Sequence, residues 1–336
     1  MRRFKPLLRD VGRVAKRVDR FITDLLRDVK PRLLRTAALH LIRAGGKRLR
    51  PYLCVKAFEA TTRRFINIEP VIPVAAAIEL LHNFTLVHDD IMDQSDMRRG
   101  VPTVHIKFGT PLAIDAGDLL FAKVYEAVLS GVGRYYSVHV AHRILQEITH
   151  VSVTLCQGQA EDILREKTLV SPSEYFHIVE WKTSSLMIAA VRCGAYIARA
   201  SKADIDALST YAKFLGVGFQ IVDDILGVIG VQEVTGKPVG DDLRAGKPTL
   251  ILYHALSHAK GSARRILEKV VGNPSASDRD VKCAIETIMQ LGSIDYARKQ
   301  ARDALDRAKQ ALSELRESDA RQRLSDLADF VLERTY

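Results

Sequence analysis

Cysteine is scarce in this chain of 336 residues: Cys54, Cys156, Cys193 and Cys283 lie far apart and form neither a CxxC pair nor a Cys/His metal spacing. A disulfide framework and a zinc site are thereby excluded, and a reducing, cytoplasmic setting is expected. Long apolar runs are missing too. Stretches 71–81 and 184–198 are cut by Pro73, Glu79 or Arg192 before they reach the roughly 18–20 residues of a membrane span, so no transmembrane segment is expected. Acidic residues are nearly absent from the first fifty positions, which hold 16 Lys/Arg against 4 Asp, although the net charge of the whole chain is only +10. The basic character is therefore N-terminal. Its only aromatics, Phe4 and Phe21, make no interleaved pattern and no recognised module contains it, which speaks against nucleic acid as a partner. The Arg-rich start also lacks Ser and carries Asp10, unlike a transit peptide, so a basic, solvated first helix is expected, with peripheral membrane contact left open.

What is present is a helical pattern over most of the length. With 47% hydrophobic and 27% charged residues, the chain can bury a substantial core. Val11, Val14, Val18, Phe21, Ile22, Leu25 and Val29 recur at helical spacing before Pro31, so residues 8–30 read as an amphipathic helix that needs a partner surface. Comparable periodicity or Ala/Leu richness predicts helices over 32–44, 73–93, 112–130, 137–166, 173–200, 203–227, 248–271, 278–291 and 293–334. No strand alternation stands out. Glycine and proline interrupt the pattern at 98–111 and at 227–249, where a loop of this length is expected to be functional or disordered. No boundary in composition divides the chain: residues 1–30 are read as part of the same body as 31–336.

Two acidic clusters end apolar helices. Residues 89–93 read Asp-Asp-Ile-Met-Asp, which puts Asp89 and Asp93 on one helical face. Stacked carboxylates repel unless solvated or bridged by a cation, and hard oxygen donors suit magnesium. An EF-hand fails, because Gln94 and Gly100 stand where its loop needs Gly and Glu. Residues 220–224 read Gln-Ile-Val-Asp-Asp, with Gln220 and Asp224 on one face. A single pair would read as a solvated helix end, whereas two pairs on apolar helices mark a site. Basic residues accompany them: Lys47, Arg48 and Arg50 after Gly45-Gly46, Arg98 and Arg99 after the first cluster, Lys237 and Lys247 in the long loop. Arginine forks and lysine point charges are what phosphate groups require.

In these segments the sequence resembles the trans-type isoprenyl diphosphate synthases. The resemblance covers roughly residues 30–336 and rests on GGKRLRP (45–51), DDIMDQSDMRRG (89–100), GQAED (158–162), Lys182-Thr183, GFQIVDD (218–224) and GKPVGDDLRAGKPT (236–249), in that order. It implies an all-α fold, a single large helical bundle with a central cavity between two Asp-rich helices. It also implies a prenyltransferase that condenses isopentenyl diphosphate with an allylic diphosphate, with about three magnesium ions as cofactor, and a homodimer.

Carried onto this chain, the resemblance makes Asp89, Asp93 and Asp223 the metal ligands, supported by Asp90 and Asp224. It assigns Arg98, Lys182, Lys237 and Lys247 to the allylic diphosphate, and Lys47, Arg50, His82 and Arg99 to isopentenyl diphosphate. Thr183 and Gln220 would face the developing cation, Gln159 and Asp162 would line the pocket, and Phe219 would lie beside the homoallylic substrate. His82 gains support from spacing, since 82, 86, 89 and 93 share a face; His88 is off that stripe and is read as structural.

The family's second motif is often DDxxD, but here Gly227 stands at the third acidic position. Phe84 lies five residues before Asp89, about 7–8 Å along a helix, where its ring can form a floor for the growing chain with small Thr85 beside it. The expected product is geranylgeranyl diphosphate; farnesylgeranyl, farnesyl and longer polyprenyl products are the alternatives. A class I terpene cyclase would leave Lys47, Arg50 and Arg99 without a role, and a non-catalytic subunit need not retain both acidic pairs.

Overall fold

The computed structural model describes residues 2–62, 67–165, 170–230 and 240–333. Its regular structure is almost entirely helical, and its contacts group into two compact units. The first comprises Met1–Val151, Leu186–Ser209 and Ser313–Asp326; the second comprises Ser152–Ser185, Thr210–Leu312 and Leu327–Tyr336.

The first unit holds α1 (Lys5–Leu25), α2 (Arg32–Ala38), α3 (His40–Arg43), α4 (Leu49–Thr61), α5 (Ile72–Met92), α6 (Val104–Phe108) and α7 (Thr110–Leu129). It also holds the first half of α8 (Val138–Leu164), most of α10 (Ser185–Ala198) and the start of α11 (Lys202–Ile229). The apolar stripe of α1, Leu7, Val14, Val18 and Ile22, is buried against α4 and α5 of the same chain. This intramolecular burial accounts for the partner surface that the helix needed, so the stripe is not available to a second subunit.

Helix α5 runs unbroken through Pro73 and Glu79. Pro73 stands in the first turn, where no helical N–H bond is lost, and Glu79 is buried beside Arg48. By length and composition, residues Glu69–Met92 could cross a membrane, yet 72% of that window is buried inside the protein, as in a core helix. Helix α4 has no counterpart among the helices expected from periodicity. Nearly every one of its residues is buried, so it has no polar face to create a stripe. After α5, β1 (Met97–Arg98) and β2 (Val101–Pro102) pair antiparallel around Arg99-Gly100. Both turn residues have positive φ (55° and 74°), as a two-residue hairpin with the twist of its strands requires.

The second unit contains the end of α8, α9 (Pro172–Val179), the π-helical segment Glu180–Ser184 and most of α11. It also contains α12 (Asp241–Ala245), α13 (Leu250–His258), α14 (Gly261–Val270), α15 (Asp278–Gln290), α16 (Ser293–Ala311) and the last turns of α17 (Asp319–Glu333). Three expected helices are interrupted: 173–200 by the π segment, 248–271 before Gly261, and 293–334 between Ala311 and Asp319. The stretch read as one loop over 227–249 begins in the last turn of α11 and includes α12. Helix α9 starts with a capping box, in which Ser171 Oγ accepts from the Glu174 N–H (3.4 Å) and Glu174 Oε2 accepts from the Ser171 N–H (2.8 Å).

Candidate active site

In the first unit, the GGKRLRP segment folds around Arg48. Its guanidinium, 1% exposed, donates to the carbonyls of Ile42 (2.6 Å) and Gly45 (2.8 Å) and to the carboxylates of Asp19 (2.8 Å) and Glu79 (3.1 Å). Arg48 is thus a fully engaged structural cation, and its backbone is held at φ 47°. Gly46 is required beside it: a Cβ there would lie 2.8 Å from both Arg48 Nη1 and Arg99 Cζ. Arg99, on the hairpin turn, donates to the carbonyls of Leu41 (2.9 Å) and Gly45. Arg50 Nη1 lies 3.1 Å from His82 Nε2. Burial, then the positive charges of Arg50, Arg99, Arg98 and Arg48, hold His82 well below its ordinary pKa. A neutral His82 accepts from Arg50 and orients it without adding charge. Burial pushes Glu79 up, opposed by Arg48, Arg99, the Asn83 amide and Arg50.

The first acidic cluster ends α5. Asp93 continues the last turn, its N–H donating to the Asp89 carbonyl (2.8 Å), so both side chains rise from one face. Asp93 is exposed and Asp89 half-buried, whereas Asp90 is buried and accepts from Arg98 Nε at 2.6 Å. The next turns of α5 carry an aromatic stack: Phe84 lies 4.7 Å from His88 and 4.9 Å from Phe121 of α7 (ring centroids), and Phe121 is followed by Tyr125 at 5.4 Å. Helix α7 accommodates His88 through Gly117, where a Cβ would fall 2.3 Å from Nε2. Thr85 donates to the His82 carbonyl (2.8 Å), and Lys47 is exposed.

In the second unit, a polar ladder runs along α11. Thr183 Oγ1 donates to Gln220 Oε1 (2.9 Å), Gln220 Nε2 donates to Asp224 Oδ1 (3.0 Å), and Tyr175 donates its hydroxyl to Asp224 Oδ2 (2.6 Å). Lys247 Nζ reaches Asp224 Oδ1 at 3.0 Å and lies 3.8 Å from Asp242. Burial alone would lower the Lys247 pKa, but Asp224 and Asp242 outweigh it and raise the pKa. Burial and the Asp224 carboxylate raise Tyr175. Lys182 and Thr183 sit in the π segment, where one extra residue per turn breaks the helical spacing. Lys182 pairs with Asp162 of α8, and the two helices meet at Gly158, whose Cβ would lie 2.8 Å from the Lys182 nitrogen. Asp162, Tyr175, Lys182, Thr183, Gln220, Asp224 and Lys247 line one cavity. Gln159 and Phe219 are half-buried, Gln159 on the α8 face that carries Asp162.

Of the residues singled out in the sequence, Asp89, Asp90, Asp93, Arg98, Arg99, Arg50 and His82 belong to the first unit. Asp162, Lys182, Thr183, Gln220, Asp224 and Lys247 come together in the second. Lys237 lies outside the described residues. The sequence reading missed Tyr175, Glu79 and the structural role of Arg48. Tyr175 follows a readable capping box, but only the approach of α9 to α11 reveals its partner.

Among the described residues, no three His, Cys, Asp or Glu side chains converge to enclose a metal. The donor set nonetheless fits magnesium, which dehydrates reluctantly and takes one or two carboxylates together with waters and substrate phosphate oxygens. Each acidic cluster offers one half-buried carboxylate, Asp89 or Asp223, and Asp90 Oδ2 is buried without a hydrogen-bond partner.

Residues 31–288 match the family model described as polyprenyl synthetase. The chain is 43% identical over 303 residues, 90% of each chain, to a short chain isoprenyl diphosphate synthase of Methanocaldococcus jannaschii. It is 40% identical to a geranylfarnesyl diphosphate synthase of Aeropyrum pernix, covering 94% of this chain and 99% of that one. The crystal structure of a geranylgeranyl pyrophosphate synthetase from Pyrococcus horikoshii superposes with a TM-score of 0.91 at 39% identity, covering 98% of this chain and 99% of that one.

Proposed function

The chain belongs to the polyprenyl synthetase family and is a trans-prenyltransferase of isopentenyl and allylic diphosphates; from that premise we propose that its principal product is geranylgeranyl diphosphate. The observation that carries the product length is the aromatic stack of Phe84, His88 and Phe121 on α5 and α7. Phe84 lies five residues, about 7–8 Å of helix, before Asp89, and its neighbours brace the ring so that it can act as a floor for the growing chain. The twenty-five-carbon product is the next alternative, in keeping with the names of the relatives.

The residues divide the work. Magnesium, the family's metal, would be held by Asp89, Asp93 and Asp223, and when bound it stabilises the negative charge of the departing diphosphate. Asp90 and Asp224 are each tied to a cation, Arg98 and Lys247, which supports an orienting role beside the ligands. Arg50, Arg99 and Lys47, with neutral His82 positioning Arg50, hold isopentenyl diphosphate; Lys182, Lys247, Lys237 and Arg98 hold the allylic diphosphate. Thr183 and Gln220 present oxygen dipoles to the developing allylic cation, while Gln159, Asp162 and Phe219 shape its surroundings. The homoallylic double bond then attacks the cation, and the released diphosphate takes the proton, a role supported by the cavity around Gln220, whose lining among the described residues includes no His or Glu. The enzyme works in the cytoplasm, a reading supported by its four free cysteines, and as a homodimer, supported by exposed apolar side chains at Leu129, Val138 and Val153.

The test is product analysis after incubation with labelled isopentenyl diphosphate and allylic primers. The wild type is expected to stop mainly at twenty carbons, and Phe84→Ser is expected to shift products to twenty-five carbons or more. An active Phe84→Ser enzyme with unchanged products would assign length control to another residue.

A further inference from the structure

We propose that Asp242 of α12 supplies the carboxylate that the second acidic motif lacks at Gly227, and that it acts as a positioning residue for Lys247. The proposal rests on the diphosphate-binding reading above and deepens it. Asp223 and Gly227 are four residues apart on α11 and share a face, so a third carboxylate on this helix would branch from the Cβ of residue 227. That space is taken. A Cβ built at Gly227 would lie 2.1 Å from Asp242 Oδ2 and 2.8 Å from Asp242 Cγ, far inside van der Waals contact. With any side chain at 227, the Asp242 carboxylate would have to turn away from the position it now holds against this face of α11.

Helix α12 is anchored for that task. A Cβ at Gly240, just before it, would lie 2.4 Å from Val281 Cγ1, so the chain enters α12 pressed against α15. Leu243 is buried, and its carbonyl accepts the N–H groups of Gly246 and Gly272, each at 3.0 Å. Arg244 Nε donates to the Ala276 carbonyl (3.2 Å), and the Lys247 N–H donates to the Asp242 carbonyl (3.0 Å). The Lys247 ammonium, 3.0 Å from Asp224 and 3.8 Å from Asp242, then bridges a carboxylate of α11 and one of α12. Three carboxylates, Asp223, Asp224 and Asp242, remain available to the second motif, with the third contributed by a different helix.

The experiment is an exchange on the full chain, comparing Gly227→Asp, Asp242→Ala, the double variant Gly227→Asp/Asp242→Ala, and the milder Gly227→Ala. Two quantities are read: kcat and KM for the allylic substrate, and the rise in melting temperature on adding magnesium with inorganic diphosphate. Circular dichroism and the melting temperature without ligand confirm folding. Either single change to the carboxylates is expected to lower kcat roughly tenfold, about 1.4 kcal/mol of barrier, and to shrink the diphosphate-dependent shift. The double variant is expected to recover most of both. Gly227→Ala, which pushes the Asp242 carboxylate aside, should fall between wild type and Asp242→Ala.

Additive losses in a folded double variant, or wild-type values on both readouts for Gly227→Ala, would overturn the exchange while leaving the diphosphate reading intact. A wild-type protein that shows no shift with magnesium and diphosphate would instead remove the premise, and the proposal with it.

Discussion

The acidic clusters at the ends of α5 and α11 are built on one plan and finished differently. In each, the second aspartate is buried and bound to a cation, Asp90 by Arg98 and Asp224 by Lys247, while the first, Asp89 or Asp223, stays half-buried. Around α5 the cations are arginines held by backbone carbonyls and by buried Glu79, an arrangement that costs desolvation and gains fixed geometry. Around α11 the cations are lysines, each more than 30% exposed at the side chain and attached to carboxylates, and the neutral partners Tyr175, Gln220 and Thr183 complete the ladder. Planar guanidinium groups locked in place present hydrogen-bond donors in a fixed direction, whereas ammonium groups on longer flexible stems act as point charges that can follow a ligand.

The largest effect should come from the half-buried carboxylates that the two clusters share. Asp89→Ala or Asp223→Ala is expected to lower turnover by at least on the order of 10²–10³-fold, the scale of losing a group that stabilises transition-state charge, with circular dichroism unchanged. Near-wild-type rates in both variants would refute the metal-ligand assignment.

Next comes the locked side of the comparison. Arg48→Met leaves Glu79 buried without its main partner and is expected to cost about 3–5 kcal/mol of stability, read from denaturant melts. Lys247→Met, at a partly exposed pair, should cost much less stability while lowering the rate. Equal stability losses for the two would erase the distinction between fixed and mobile cations.

A smaller and more selective effect separates the substrates. Arg99→Ala or His82→Ala should raise KM for isopentenyl diphosphate roughly 10–100-fold, as expected for lost charge-assisted hydrogen bonds, with less effect on the allylic substrate. Arg98→Ala should act chiefly on the allylic substrate, because it releases Asp90 in the first acidic cluster. Steady-state kinetics with each substrate varied in turn would check this, and equal changes in both KM values for all three variants would remove the division of labour.

Sequence alone determined the all-α class, most helix positions and the chemistry of the acidic and basic clusters. Helical periodicity and i,i+4 spacing are local properties, and hard carboxylates beside arginines have few chemical uses. It also carried the segments whose order specifies the family. It did not show α4, whose burial on all sides erases the amphipathic stripe, or the π segment, which interrupts a stretch of uniform helical composition.

Tertiary structure alone decided which of several similar arginines is structural. Arg48 and Arg50 are two residues apart in one motif, yet packing against Glu79 and Asp19 buries the first, and His82 receives the second. It also decided that Gly227, which reads along the chain as a missing carboxylate, is the space that the carboxylate of Asp242 occupies. The physical reason is the same in each case. A residue's type and helical face are written locally, but its burial and its partner depend on which distant segment packs against it.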